Sequence, residues 1–187
     1  MAKIEQYQGG LTEERMQKMN KRRNKLRLIL FDECHRNCVG CCNKDWDIRN
    51  LPVCNDFRGF DLIMLTGGEP MLHPNVILQT IEIIRSQTKA PIILYTALLE
   101  DKVMLGKVLD LIEGITITLH EPEDIGAFME FDRYYPERTN KSFRINLFKG
   151  VEAAECSPRW KIKDDIVWIK NSPLPDGERL MRLSCSL

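Results

Sequence analysis

The chain lacks long apolar runs. No stretch approaches the ~18 uncharged apolar residues that a membrane span takes, so no spanning segment is expected. It also lacks an excess of either charge, with 27 lysines and arginines against 27 aspartates and glutamates and a sequence pI near 6.8. No global field therefore announces a nucleic-acid or anionic-membrane partner. The opening residues, MAKIEQYQGGLTEERMQKMNKRRNK, have no apolar core of the secretory kind, which makes a cytoplasmic, reducing setting the expectation. Internal repeats, low-complexity tracts and a clear linker are missing as well. With 187 residues, 29% charged and 43% apolar, the chain is expected to form one domain with its own core.

Cysteine, by contrast, is plentiful and unevenly placed. There are seven, an odd number, and four of them fall between positions 34 and 42. Disulfide scaffolds spread their cysteines along a shorter, secreted chain, whereas a tight cluster in a reducing compartment points to a metal.

Hydrophobic periodicity supplies the fold. Residues 1–24 are expected to form an appended helical extension, with Leu11, Met16 and Met19 as its few apolar points and Thr12 near its start. The basic residues from Lys18 to Arg27 suit the negative end of a helix dipole, and no aromatics interleave with them as in an RNA-binding face. From residue 25 to 187 strands alternate with helical segments. Strands are expected at Leu26–Phe31, Phe60–Leu65, Pro91–Thr96, Ile115–Leu119 and Ser142–Phe148, with a sixth near Ile166–Ile169. Helices are expected at Asn75–Ser86, Asp101–Ile112 and Glu123–Arg133, Pro74 standing in the first turn of the first of them. Such alternation builds βαβ units and a parallel sheet. A complete (β/α)8 barrel takes ~250 residues, so the expected class is α/β, an incomplete (β/α) barrel of five to six parallel strands. The proline-rich tail from Cys156 onward is expected to be mostly irregular.

The densest chemistry lies directly after the first strand, in Asp32-Glu33-Cys34-His35-Arg36-Asn37-Cys38-Val39-Gly40-Cys41-Cys42-Asn43. Cys34, Cys38 and Cys41 have the spacing C-x3-C-x2-C. A zinc site is one reading, with His35 or Cys42 as further ligand, but the second knuckle of a structural zinc site is missing. A redox pair of Cys38 and Cys41 is another, without the helix start such pairs use. Buried structural cysteine is the plainest, and four in nine residues strain it.

Some thirty residues on, Thr66-Gly67-Gly68-Glu69-Pro70 follows the second strand at its carboxyl end, where barrel active sites sit. Taken together, the two motifs resemble the radical S-adenosylmethionine (SAM) superfamily, over roughly Leu26–Phe148. The resemblance implies a [4Fe–4S] cluster on Cys34, Cys38 and Cys41, one iron being left open for SAM. It implies that an external reductant, flavodoxin- or ferredoxin-like, supplies one electron. One C–S bond of SAM then breaks to give methionine and a 5′-deoxyadenosyl radical that abstracts hydrogen. It also implies that Gly67, Gly68 and Glu69 hold the SAM amino group, with Pro70 stiffening the turn, and that Thr96, Thr118 and Asn146 lie among the later SAM contacts. His120 ends the same region and is read first as an ordinary loop histidine. The residue before the third cysteine is often aromatic in the superfamily and packs near the SAM adenine; here it is Gly40. Cys42 is expected to point away from a cluster, and Cys54, Cys156 and Cys185 to be plain thiols, a paired use of the last two staying open.

The substrate is not legible. The string Cys38-Val39-Gly40-Cys41-Cys42-Asn43 resembles that of activases that place a glycyl radical on a partner protein. Modification of a nucleoside, RNA or small molecule is the alternative within the class. A non-catalytic Fe–S or zinc regulatory module is the alternative outside it.

Overall fold

The computed structural model describes residues 24–135, 140–153 and 155–184. The expected extension over 1–24 therefore lies, but for Asn24, outside the described residues, as does Cys185. In chain order the elements are β1 (Lys25–Ile29), α1 (Cys42–Asp45), β2 (Val53–Cys54), β3 (Leu62–Thr66), α2 (Pro74–Gln87), β4 (Ile92–Thr96), α3 (Lys102–Leu111), β5 (Gly114–Leu119), α4 (Asp124–Tyr134), β6 (Ser142–Phe148), β7 (Trp160–Ile166) and β8 (Glu178–Leu183). Among the described residues no helix is long and apolar enough to cross a membrane.

All eight strands join one parallel sheet in the order β2-β8-β1-β3-β4-β5-β6-β7. From β3 to β7 the spatial order follows the chain, the winding of a barrel and not of a doubly wound sheet. β2 and β7 are the edges, so the barrel stays open. The α/β class and partial-barrel arrangement are as expected, but the strand count is eight instead of five or six. The tail from Cys156 onward is irregular over more than half of its described residues, as expected, but it also contributes β7 and β8. β7 ends at Ile166, where the sixth strand expected from the sequence begins.

Strand alternation separates two faces. In β6, Phe143, Ile145 and Leu147 are buried, while Arg144, Asn146 and Phe148 face an open interior. The outward residues, with Leu26, Leu28, Ile63, Leu65, Ile92, Leu94, Ile115 and Ile117, form the core with α2, α3 and α4. The helices supply Ile77, Ile81 and Ile84, then Leu105, Val108 and Leu109, then Phe128 and Phe131, each set at the three-to-four-residue spacing of one helix face. Local signals set the ends: Pro74 occupies the first turn of α2, and the Asp101 side chain accepts from the Met104 amide to cap α3. At the start of β7, Asp132 of α4 accepts from the Trp160 indole at 2.7 Å and from the Ser157 amide at 2.8 Å.

The last connection shapes the interior. β7 ends at one edge of the sheet, whereas β8 lies parallel to β1 near the other, with the Lys25 amide donating to Gly177 O at 2.8 Å. Residues 167–177 must therefore travel from the carboxyl end of β7 to the amino end of β8, and they form one wall of the cavity on the way. Two bonds to the α1 region anchor this strap: Trp46 Nε1 donates to Ser172 O at 3.2 Å, and Ser172 Oγ donates to Asp45 Oδ2 at 2.8 Å.

Candidate functional site at the carboxyl end of the sheet

A cavity of about 740 Å³ occupies the open interior. Cys34, Cys38 and Cys41 border it, and so do Gly67, Gly68 and Glu69. Thr96, Thr118 and Asn146 complete the set, so nine of the ten residues singled out from sequence line one cavity. The tenth, Pro70, is buried in the short 3-10 turn Pro70–Leu72 just behind Glu69.

The cysteine loop is docked on the glycine segment through its backbone. Gly68 N donates to Phe31 O at 2.8 Å and Glu69 N to Glu33 O at 2.8 Å. Asn43 Nδ2, just beyond the last cysteine, donates to Gly67 O at 2.8 Å. Gly67 has φ +138, a conformation that favours glycine, and a Cβ on it would stand 2.4 Å from Phe31 O. The glycines are thus required first by the approach of residues 31–33, before any ligand is considered.

Arg36 ties the loop to the far side of the mouth. Its guanidinium donates to Asp124 Oδ1 at the start of α4, and Asp124 Oδ2 accepts from the His120 amide at 2.8 Å. Burial works against the Asp124 charge, yet the Arg36 bond and the backbone amides of His120 and Glu121 hold the carboxyl below the usual range.

The thiols differ in character. Cys34, Cys38, Cys41 and Cys42 are all free and half-buried. Its neighbour Cys42 brings the Cys41 thiol down to about 6, burial opposing, while the same pairing and burial push Cys42 up; the Cys42 thiol itself lies 3.8 Å from Asn43 Oδ1. Burial and the neighbouring Cys41 raise Cys38. Cys42 borders the cavity like the other three. Among the described residues no three His, Cys, Asp or Glu side chains converge into a metal-binding group. Cys34, Cys38 and Cys41 also border a second, smaller cleft of about 380 Å³ with Lys44 and Trp46, so the loop separates two accessible spaces.

Glu69 is only 3% exposed, and its carboxylate is largely occupied by the protein itself. Oε1 accepts from the Met71 amide at 3.0 Å and from the Thr96 hydroxyl, and Oε2 accepts from the Ala97 amide at 2.8 Å. Two carboxylate oxygens offer about four acceptor positions, so one remains, on Oε2, for a cation in the cavity. Thr96 acts here as a partner of Glu69, joining the ends of β3 and β4. Glu69→Gln is expected to lower stability by about 1–3 kcal/mol, because its amide group must face one of three fixed donors. A urea unfolding curve checks this, and an unchanged midpoint would show that the three bonds contribute little.

Three residues of the site, Trp168, Arg36 and Arg144, were not picked out by the motifs. Gly40 has a side chain laid on it from another part of the chain: a Cβ there would stand 2.3 Å from Trp168 Cγ in the strap. Trp168 stacks on His120 with centroids 5.5 Å apart, and His120 stacks on Phe148 at 4.7 Å. Burial, then the Arg36 charge, pushes the His120 imidazole below its ordinary value. Trp168 had a partial signal, since position 40 lacks the expected aromatic, but nothing in the sequence said what would replace it. Asn43 closes the cysteine string and was visible as such. Arg36 and Arg144 carried no spacing signal at all.

No protein-family model matches the chain, and no curated protein matches it at a significant level.

Proposed function

We propose that the protein is a radical SAM enzyme that holds a [4Fe–4S] cluster on Cys34, Cys38 and Cys41. One observation carries the reading: the three thiols of C-x3-C-x2-C and the Gly67-Gly68-Glu69 segment border the same cavity, held together by the Asn43–Gly67 bond. A purely structural metal site has no need of the glycine segment. The donor set suits the group, since three soft thiolates beside Arg36 and Lys44 fit an iron–sulfur cluster and not a hard cation. Between β1 and α1 the thiols ride on an irregular loop with few backbone bonds, which leaves them room to close about a cluster.

When bound, cluster and SAM supply hydrogen abstraction by a carbon radical, at the cost of one electron from an external reductant and one C–S bond of SAM. The remaining roles belong to the chain. The free position on Glu69 Oε2 takes the SAM ammonium. Trp168, lying over Gly40, offers the adenine the aromatic surface that position 40 lacks. The strap 167–177 shields the interior from water and oxygen.

The test uses the full chain reconstituted anaerobically with iron and sulfide, reduced with dithionite and given SAM. About four irons per chain and 5′-deoxyadenosine by mass spectrometry are expected. Zinc in place of iron, with no deoxyadenosine, would hand the case to a metal-binding module.

A further inference from the structure

The interior of this half-barrel is polar where a closed barrel packs branched apolar side chains. Strand pairing arranges its residues in rows. Tyr95 stands beside Thr116, Thr116 beside Arg144, and Arg144 beside Lys161. One step nearer the carboxyl ends, Thr118, Asn146 and Lys163 form a second row. Every one of these residues borders the cavity.

The charges in these rows are not balanced within the cavity. Arg27, the other arginine of the floor, is engaged: its Nε and Nη2 donate to Glu178 Oε2 at 3.1 and 2.8 Å, and Lys25 Nζ lies 3.8 Å from Glu178 Oε1. Glu69 is occupied by Met71, Thr96 and Ala97. The exposed side chains of Arg144, Lys161 and Lys163 make no hydrogen bond or ion pair with any described residue. Next to them stands a second, independent sign of a missing ligand. Thr116 is 2% exposed, and its hydroxyl has no hydrogen-bond partner. A buried hydroxyl is costly to leave unpaired, and its residue lines the cavity beside Arg144.

We infer that this floor is a substrate subsite for a small molecule bearing an oxyanion group, a phosphate or a carboxylate. Arg144 and Lys161 hold the charge, the Thr116 hydroxyl donates to one oxygen, and Lys163 guards the approach. An arginine fork with a neighbouring ammonium is the pairing that phosphate and carboxylate oxygens accept best. The cavity, about 740 Å³, has the size of a small-molecule site. The inference rests on the proposed reaction centre at the cysteine loop. The Arg144–Lys161 row lies toward the amino ends of the strands and the loop follows the carboxyl end of β1, so an anchored substrate presents its other end to the thiols. A partner-protein backbone offers no oxyanion to this row, which sets the inference against the activase reading.

The experiment titrates the full chain, as purified and after reconstitution, with inorganic pyrophosphate and with malonate by calorimetry. Saturable binding of at least one probe is expected, weakened about tenfold or more in Arg144→Gln/Lys161→Gln and about threefold in Thr116→Val. Lys149→Gln, on the turn after β6 and outside the cavity, is expected to bind as the wild type does. Preference for pyrophosphate identifies a phosphorylated substrate, and preference for malonate a carboxylate. No binding of either probe, or equal binding in the double variant, overturns the subsite. Because the titration needs neither cluster nor SAM, intact pyrophosphate binding without deoxyadenosine would sink the radical reading, and the reverse result the subsite alone.

Discussion

Replacing Cys34, Cys38 or Cys41 with alanine, one at a time, is expected to cut bound iron to less than about a tenth and to abolish deoxyadenosine formation. A cluster on three thiolates already has one iron without a protein ligand. Losing another thiolate leaves two, and a half-held cube is lost to solvent. Cys42→Ala is the informative control. Cys42 borders the same cavity and follows Cys41 directly, so it shares the surroundings of the other three without the ligand role assigned to them. Iron and sulfide content should therefore survive its loss. Retention of iron in a Cys38→Ala protein, or its loss in Cys42→Ala, would redraw the ligand set, and colorimetric iron and acid-labile sulfide assays decide between them.

What could be read in advance follows from how local each signal is. β4 and β6 end at Thr96 and Phe148 and β5 at Leu119, as their apolar runs indicate, and α2 to α4 fall within a few residues of their expected ends. Each of these elements is amphipathic or wholly buried, so its own sequence carries its period. β7 does not: Lys161, Lys163, Asp164 and Asp165 are exposed on an edge strand, and its charges hide it. β8, ERLMRL, pairs with β1 from some 150 residues away, a partnership no local pattern announces. The site divides in the same way. The cysteine and glycine motifs are contiguous strings and were visible. The Trp168 ring over Gly40, the Arg36–Asp124 pair and the row of Thr116, Arg144 and Lys161 exist only through register and winding, so they emerge only with the fold. The glycines also answer to the loop backbone that presses on them, a reason the motif alone does not give.

That pressure makes Gly68→Ala a destructive single-methyl substitution. A Cβ at Gly68 would lie 1.7 Å from Glu33 O, 2.4 Å from Glu33 C and 2.7 Å from Asp32 O. These are backbone atoms, so no rotamer change relieves the overlap. The segment cannot retreat freely either. Gly68 N is bonded to Phe31 O and Glu69 N to Glu33 O, one on each side of the contact, while the Glu69 carboxylate is bound to Thr96 and Ala97 on β4. Relief means breaking both backbone bonds and lifting the cysteine loop off β3. A loss of about 3 kcal/mol or more in urea unfolding is expected, together with faster proteolysis within residues 30–42. The same substitution at Gly126, in the first turn of α4 with nothing within 4 Å of the added Cβ, should instead stabilise, by about 0.5 kcal/mol, through helix propensity. Opposite signs from one added methyl group would establish that the loop is clamped to the glycine segment. A Gly68→Ala protein as stable as wild type would show that the loop and the glycine segment are not in contact, and with that contact would go the shared cavity on which the functional reading stands.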